Sequence, residues 1–351
     1  MSNFYNKNTR ISGITACIPK NEYNNWDYDW IKIEERELLI KTTGIEKRRV
    51  AEKGITTSDL CFQASEVLIK ELNWDKNEID ILIFVSQSRD YPIPCTAIIL
   101  QDRLGLSKKT LAFDIPLGCS GYIYGMSILG SMLSSGMLKK GILLTGDIST
   151  INCSYEDKST YPLIGDAGTA TAMEFSEAAS NQYFNLCSDG SGWEAISVHD
   201  GGIRNYISKS SFDMKEIAPG IIRNNIQLQL KGIDIFNFSL KEVPPNISET
   251  ISFASKTIED IDYLLLHQAN LLINESIRKK LRLPKEKVPY SINKYGNTSS
   301  ASIPLTMVSE ISEQLIQGEL NLLLCGFGVG LSWGSVFLKT DKIICPKLIE
   351  I

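Results

Sequence analysis

The 351-residue chain is predicted to be an α/β protein made of two similarly built halves. Two observations carry that prediction. Short apolar runs alternate with longer stretches of helical character, the pattern of strands covered on both faces in a parallel or mixed sheet. One strand pattern also recurs. Asn77–Phe84 reads NEIDILIF and Glu259–Leu266 reads EDIDYLLL, at an offset of 182 residues. At about the same offset, Gly136-Met137-Leu138 and Gly318-Glu319-Leu320 each lead into a further apolar run. Two similar halves packed together account for both matches.

In chain order, Ser58–Leu72 reads as a helix and Ile81–Val85 as a strand. Thr110–Phe113 is a short strand candidate, and a helix rich in Gly, Ser and Met runs from near Ser120 to Leu138. Gly141–Leu144 is the next strand. These elements fall in a first half, residues 1–180. Residues 181–250 read as an irregular connecting and substrate-lining region, because Cys187-Ser188-Asp189-Gly190-Ser191-Gly192 and Val243-Pro244-Pro245-Asn246 carry loop chemistry. The second half, residues 251–351, holds the strand Tyr263–Leu266, the helix Asn270–Leu281 and the strand Leu320–Cys325.

Composition excludes several classes. Hydrophobic residues are 43% and charged residues 22%, which suits a folded core and not a disordered chain. With 36 Lys+Arg against 41 Asp+Glu, the net charge of −5 gives no general nucleic-acid footprint. The eight cysteines form no CxxC pair and mostly sit in apolar runs, as expected for free thiols in a reducing compartment. The N-terminal MSNFYNKNTR lacks a signal-peptide core, and the greasy segments are too short or too turn-rich to span a bilayer. A soluble cytoplasmic protein is expected. The chain has no HExxH motif, and its two distant histidines give little basis for a metal site. The glycine-rich stretch Gly328–Gly334 leaves 17 residues after it, too few for a dinucleotide-binding unit.

Three segments carry candidate chemistry. In Phe113-Asp114-Ile115-Pro116-Leu117-Gly118-Cys119-Ser120-Gly121-Tyr122, a strand meets a helix with Cys119 at the junction. A helix start stabilises a thiolate, and its free N–H groups stabilise a carbonyl oxygen that gains charge. Taken alone, this segment fits either an acyl-accepting nucleophile or a buried structural thiol. His267 ends a strand in Leu264-Leu265-Leu266-His267-Gln268-Ala269-Asn270, where an imidazole can exchange a proton or donate to an oxyanion. A structural histidine is the alternative. In Ile292-Asn293-Lys294-Tyr295-Gly296-Asn297-Thr298-Ser299-Ser300-Ala301, Asn297 offers either an amide donor or a helix cap. The repeat offset maps Cys119 onto Ala301, so this last segment is the second-half counterpart of the cysteine turn.

Taken together, Gly118-Cys119-Ser120-Gly121, His267-Gln268-Ala269-Asn270 and Gly296-Asn297-Thr298-Ser299 resemble the thiolase superfamily. Within it they are most similar to the type III β-ketoacyl-acyl-carrier-protein synthases. Thr43–Arg49, Gly165–Ala170 and Gly326–Gly334 extend the resemblance over nearly the whole chain. It implies an αβαβα layered fold from two similar halves, usually a homodimer, with no tightly bound cofactor. It further implies that Cys119 takes an acyl group from a coenzyme A or carrier-protein thioester. A malonyl thioester then loses carbon dioxide, and the resulting carbanion attacks the acyl-Cys119 carbonyl. By the same resemblance, His267 and Asn297 hold the malonyl thioester oxygen. The N–H of Cys119 and one from the Gly328-Val329-Gly330 turn hold the acyl oxygen.

The resemblance departs where substrates enter. Leu38 and Thr42 stand where the family commonly places a Trp and an Arg for the coenzyme A adenine. Lys158 and Leu272 replace two further arginines, and Lys is not equivalent to Arg for stacking or forked phosphate contact. These changes favour a carrier-protein donor or an altered nucleotide pose. Ile93 takes the place of an aromatic that helps close the partner subunit's acyl pocket, with Tyr91 nearby. Val329 replaces the middle glycine of a triple-glycine turn. Asn270, Lys158, Ile93, Leu38 and Leu272 are thus the candidate substrate-binding positions. Arg278, Lys279 and Lys280 are the candidate docking patch for an acidic acyl carrier protein. Two other functions compete: acyl transfer from Cys119 to a small alcohol or amine without decarboxylation, and a noncatalytic thioester-binding scaffold.

Overall fold

The computed structural model describes residues 3–351, and two sheets organise it. The first has the order β17 (Ile349–Glu350), β2 (Thr9–Ile18), β8 (Ala167–Phe175), β7 (Lys140–Asp147), β5 (Ile81–Val85) and β6 (Leu111–Ile115). The second has the order β1 (Asn3–Asn6), β9 (Gln182–Ser188), β16 (Ser332–Thr340), β15 (Leu320–Gly328) and β14 (Tyr263–Leu266). The run β2-β8-β7-β5 pairs antiparallel, antiparallel, parallel. The run β9-β16-β15-β14 repeats that sense. The repeated sequence pattern is therefore a repeated topology. Three short ribbons lie outside the sheets: β3 (Glu22–Asn24) with β4 (Lys47–Arg49), β10 (Ile196–Ser197) with β13 (Gln229–Leu230), and β11 (Lys215–Ala218) with β12 (Ile221–Arg223).

Helices fill the space between the sheets and cover their outer faces. Between them lie α4 (Gly121–Leu133) and α8 (Ser302–Glu310), packed through Tyr122, Met126, Leu305 and Met307. Outside the first sheet lie α2 (Thr57–Glu71) and α3 (Thr96–Arg103), and outside the second lie α5 (Gly232–Phe253) and α6 (Leu271–Lys280). The result is five layers, αβαβα. Alternation along each strand explains the continuous apolar runs. Ile81, Ile83 and Val85 face the central layer, while Leu82 and Phe84 face α2 and α3. Leu265 likewise faces inward, with Leu264 and Leu266 outward. Both faces of these strands are buried, so both must be apolar. The remaining α-helices are α1 (Ile33–Thr43), α7 (Ile292–Tyr295) and α9 (Ser312–Gln317).

Two expectations need correction. The helix expected to reach Leu138 ends at Leu133, and Gly136 turns the chain with φ +73. The region expected to be irregular contains β9, the counterpart of β2, and the 22-residue helix α5. Pro244 and Pro245 lie inside that helix, although they had read as a loop. Its apolar stripe, including Val243, Ile247 and Ile251, outweighs the two missing amide donors. Pro244 cannot donate to the Leu240 carbonyl one turn back, and Lys280 of α6 donates to that carbonyl at 2.9 Å.

Candidate active site

Cys119 sits between β6 and α4, in a turn too crowded for ordinary side chains. A Cβ at Gly118 would lie 2.3 Å from Gln87 Oε1, and one at Gly328 would lie 2.9 Å from Cys119 Sγ. Gly328 also holds φ +155, so only glycine lets β15 of the second half run against the thiol. Ser120 and Ser332 join the halves through their hydroxyls at 2.7 Å. The expected thiolate is not what the site holds at rest. Burial pushes the Cys119 thiol up to about 11, and the charge of Asp147 adds to that rise. Hydrogen bonds from the Val329 N–H, the Ser299 hydroxyl and the backbone of Cys119 itself pull the other way and lose.

His267 directly follows β14, where its N–H extends the parallel ladder to the Cys325 carbonyl at 2.8 Å. It is 1% exposed, and its ring meets Phe327 edge-on at 5.5 Å. Burial pushes the imidazole down to about 3, against an upward pull from a hydrogen bond with the Ser299 backbone. The ring is therefore neutral near pH 7. Asn297 is pinned by its backbone: its N–H donates to Leu163 O at 2.8 Å, and its carbonyl accepts from the Gly165 N–H at 3.0 Å. Its Oδ1 accepts the Ser299 N–H at 3.0 Å, which leaves the amide Nδ2 as the free end. Asn297 thus serves as a local turn cap and still has a donor to offer.

One cavity of about 120 Å³ is lined by Cys119, His267, Asn297, Gly328 and Val329 together. It holds several water-sized molecules or part of a thioester arm. Asn270 also lines it, but its side-chain oxygen is occupied as the N-cap of α6, accepting the Ile273 N–H at 2.8 Å. Sequence reasoning missed Gln87, Ser149, Leu163, Leu228, Ile235 and Phe327 in the lining. Gln87 and Ser149 lie two residues beyond the ends of β5 and β7. The ends of parallel strands are where such folds place ligands, so position alone could have found those two. Asp147 was missed as well. It is fully buried at the end of β7 and accepts the Gln87 N–H at 2.8 Å and the Ser300 hydroxyl at 3.0 Å, tying one half to the other.

The remaining candidates lie elsewhere. Leu38, 64% exposed, and Lys158 share an outer groove, where Lys158 pairs with Glu35 at 2.9 Å. Leu272 is 47% exposed on α6 and Ile93 is 85% exposed, and neither lines the cavity of its own chain. Arg278 is held by Glu275 at 2.8 Å and by the Leu283 carbonyl at 2.6 Å, while Lys279 is exposed. Among the described residues no His, Cys, Asp and Glu group could hold a metal ion, and no helix is long and apolar enough to cross a membrane.

A thiol facing an imidazole and a carboxamide across two repeated halves belongs to the acyltransferase class of thiolase-like enzymes. More narrowly, the chain belongs to the 3-oxoacyl-[acyl-carrier-protein] synthase III family, also called β-ketoacyl synthase III. Residues 113–190 match that family and residues 251–340 match its C-terminal part. The β-ketoacyl-[acyl-carrier-protein] synthase III of Clostridioides difficile is 31% identical over 334 residues, 95% of this chain and 99% of the relative. A synthase III of Halalkalibacterium halodurans is 33% identical over 334 residues, 95% of this chain and 98% of the relative. A crystal structure of 3-oxoacyl-(acyl-carrier protein) synthase from Burkholderia xenovorans superposes with a TM-score of 0.94 at 36% identity, covering 99% of both chains.

Proposed function

We propose that the chain forms a carbon–carbon bond by decarboxylative condensation, with Cys119, His267 and Asn297 in the roles their positions favour. Cys119 sulfur attacks an acyl thioester, and its proton ends on the departing thiol. The N–H groups of Cys119 and Val329, both directed at the sulfur, hold the acyl oxygen. A malonyl thioester then occupies the cavity. Its carbon–carboxylate bond breaks, carbon dioxide leaves, and the electron pair forms the new bond to the acyl carbon. Cys119 leaves as the thiol once it has taken up a proton. His267 and the Asn297 amide hold the malonyl thioester oxygen while it bears charge. The observation that carries this reading is the meeting of all five groups in one cavity between the halves. In this reading residues 1–180 supply the nucleophile and residues 251–351 the two donors. Residues 181–250 line the substrate through Ile196, Leu228 and Ile235.

The donor is a carrier-protein thioester, in keeping with the exposed Leu38 and Leu272 and with a Lys158 already paired to Glu35. Docking of the acidic carrier draws on Arg278, Lys279 and Lys280, with Lys279 the most available. A homodimer gives the exposed Ile93 an apolar environment in the partner's acyl pocket. Eight free cysteines suit the cytoplasm. The test is intact mass spectrometry with acyl-carrier and acyl-coenzyme A thioesters, followed by a malonyl-carrier chase. An acyl adduct from the carrier, absent in C119A, and a chase that yields a β-ketoacyl product are expected. An adduct that persists on C119A would overturn the nucleophile, and release of the acyl group to an alcohol or amine without carbon dioxide would overturn condensation.

A further inference from the structure

We propose that Ser302 is a positioning residue that fixes the tautomer of His267, holding the imidazole proton on Nε2. The inference rests on the condensing reading above, in which this ring donates to the malonyl thioester oxygen. Nδ1 of His267 lies 2.7 Å from Ser302 Oγ. A hydroxyl has one proton to give and two lone pairs. One lone pair takes the Gln268 N–H at 3.3 Å. Among the described residues no acceptor other than Nδ1 lies within hydrogen-bond reach of this hydroxyl. Its proton therefore points at Nδ1, which must present a lone pair.

Burial keeps the ring neutral, so a single N–H remains, and it falls on the opposite nitrogen. The other tautomer would aim two donors at Ser302 Oγ and leave the hydroxyl proton unpaired in a buried site, which is costly. Ser302 is itself held in place. It is the first residue of α8, its carbonyl accepts from the Thr306 hydroxyl at 2.7 Å, and that hydroxyl meets Ser291 Oγ at 2.7 Å. The device parallels Asn297, whose acceptor end is occupied by the Ser299 N–H. In both residues a local donor satisfies the acceptor, and the opposite end carries the proton; for His267 that end also feels the Ser299 backbone.

The chain has two histidines, His199 and His267, so protein labelled with 15N-histidine gives two ring spectra, and His199→Gln assigns them. At neutral pH His267 is expected to show a protonated Nε2 and an unprotonated, hydrogen-bonded Nδ1. A protonated Nδ1 would overturn the proposal. This measurement needs no substrate, so it stands apart from any failure of the condensing reading. S302A is expected to populate both tautomers. It should lower kcat for malonyl-carrier decarboxylation by about tenfold at unchanged KM, less than the ~100-fold that losing an oxyanion donor costs. Acyl loading of Cys119 should stay within about twofold, and S302T should restore turnover. A folded S302A that keeps a pure Nε2 tautomer and full turnover would refute the role.

Discussion

At neutral pH neither reactive side chain of the resting site is ionised: burial pushes Cys119 up to about 11 and His267 down to about 3. In the proposed mechanism the sulfur therefore loses its proton as the thioester arrives, not before. Alkylation of Cys119 by iodoacetamide, followed by peptide mapping, should accelerate about tenfold per pH unit from neutrality toward the thiol's own range. A plateau near neutral pH would mean a preformed thiolate. In the proposed mechanism His267 and Asn297 act later, on a different oxygen. H267A and N297A should each cut malonyl decarboxylation by roughly 100-fold while initial acylation changes by no more than about threefold. Equal loss in both steps would reassign them. That these three residues share one cavity was legible through the family resemblance of Gly-Cys-Ser-Gly, His-Gln-Ala-Asn and Gly-Asn-Thr-Ser taken together, whereas each segment alone left a structural alternative open. Their protonation states were not legible. A helix start is visible in sequence, but the burial that overrides it arises in a cavity that distant segments close, and that is not visible there.

Elements followed the hydrophobic pattern wherever packing and propensity agreed. Strands such as Ile81–Val85 and Tyr263–Leu266 were legible because both faces are buried. Helix α5 was not, because Pro244 and Pro245 are local stop signals and the compensation is tertiary. Lys280 reaches from α6 to the Leu240 carbonyl that Pro244 leaves without its helical donor. The same side chain had read as part of a docking patch, and its geometry gives it a structural task as well. K280M should lower unfolding free energy by about 0.5–1 kcal/mol, the scale of one partly solvated hydrogen bond. In a P244A background, which restores the backbone donor, K280M should cost less. Urea denaturation of the four proteins closes that cycle. Equal costs in both backgrounds would show that Lys280 contributes through charge alone.

At the scale of the whole molecule, the repeat places five strand ends around one cavity and lets each half supply what the other lacks. Topology was legible because the offset of 182 residues recurs in β5 and β14 and again in β7 and β15. The cavity wall was not, since residues such as Leu228 and Ile196 come from short ribbons with no periodic signal. The same central burial links catalysis to the stability of the fold. His267 titrates at its ordinary 6.5 in the unfolded chain and at about 3 in the folded one. Above 6.5 both states carry a neutral ring, and its contribution to stability is fully present. As pH falls below 6.5 the unfolded chain takes up the proton first, so that contribution drains by about 1.4 kcal/mol per pH unit until the folded ring also protonates. Removing the titrating group removes this slope. H267Q should therefore gain stability relative to the unmodified chain as pH is lowered from 6.5 toward 4, whatever its offset at pH 7. Paired urea melts at several pH values check this. Parallel stability profiles would mean that the ring titrates alike in both states, and so is open to water in the folded molecule.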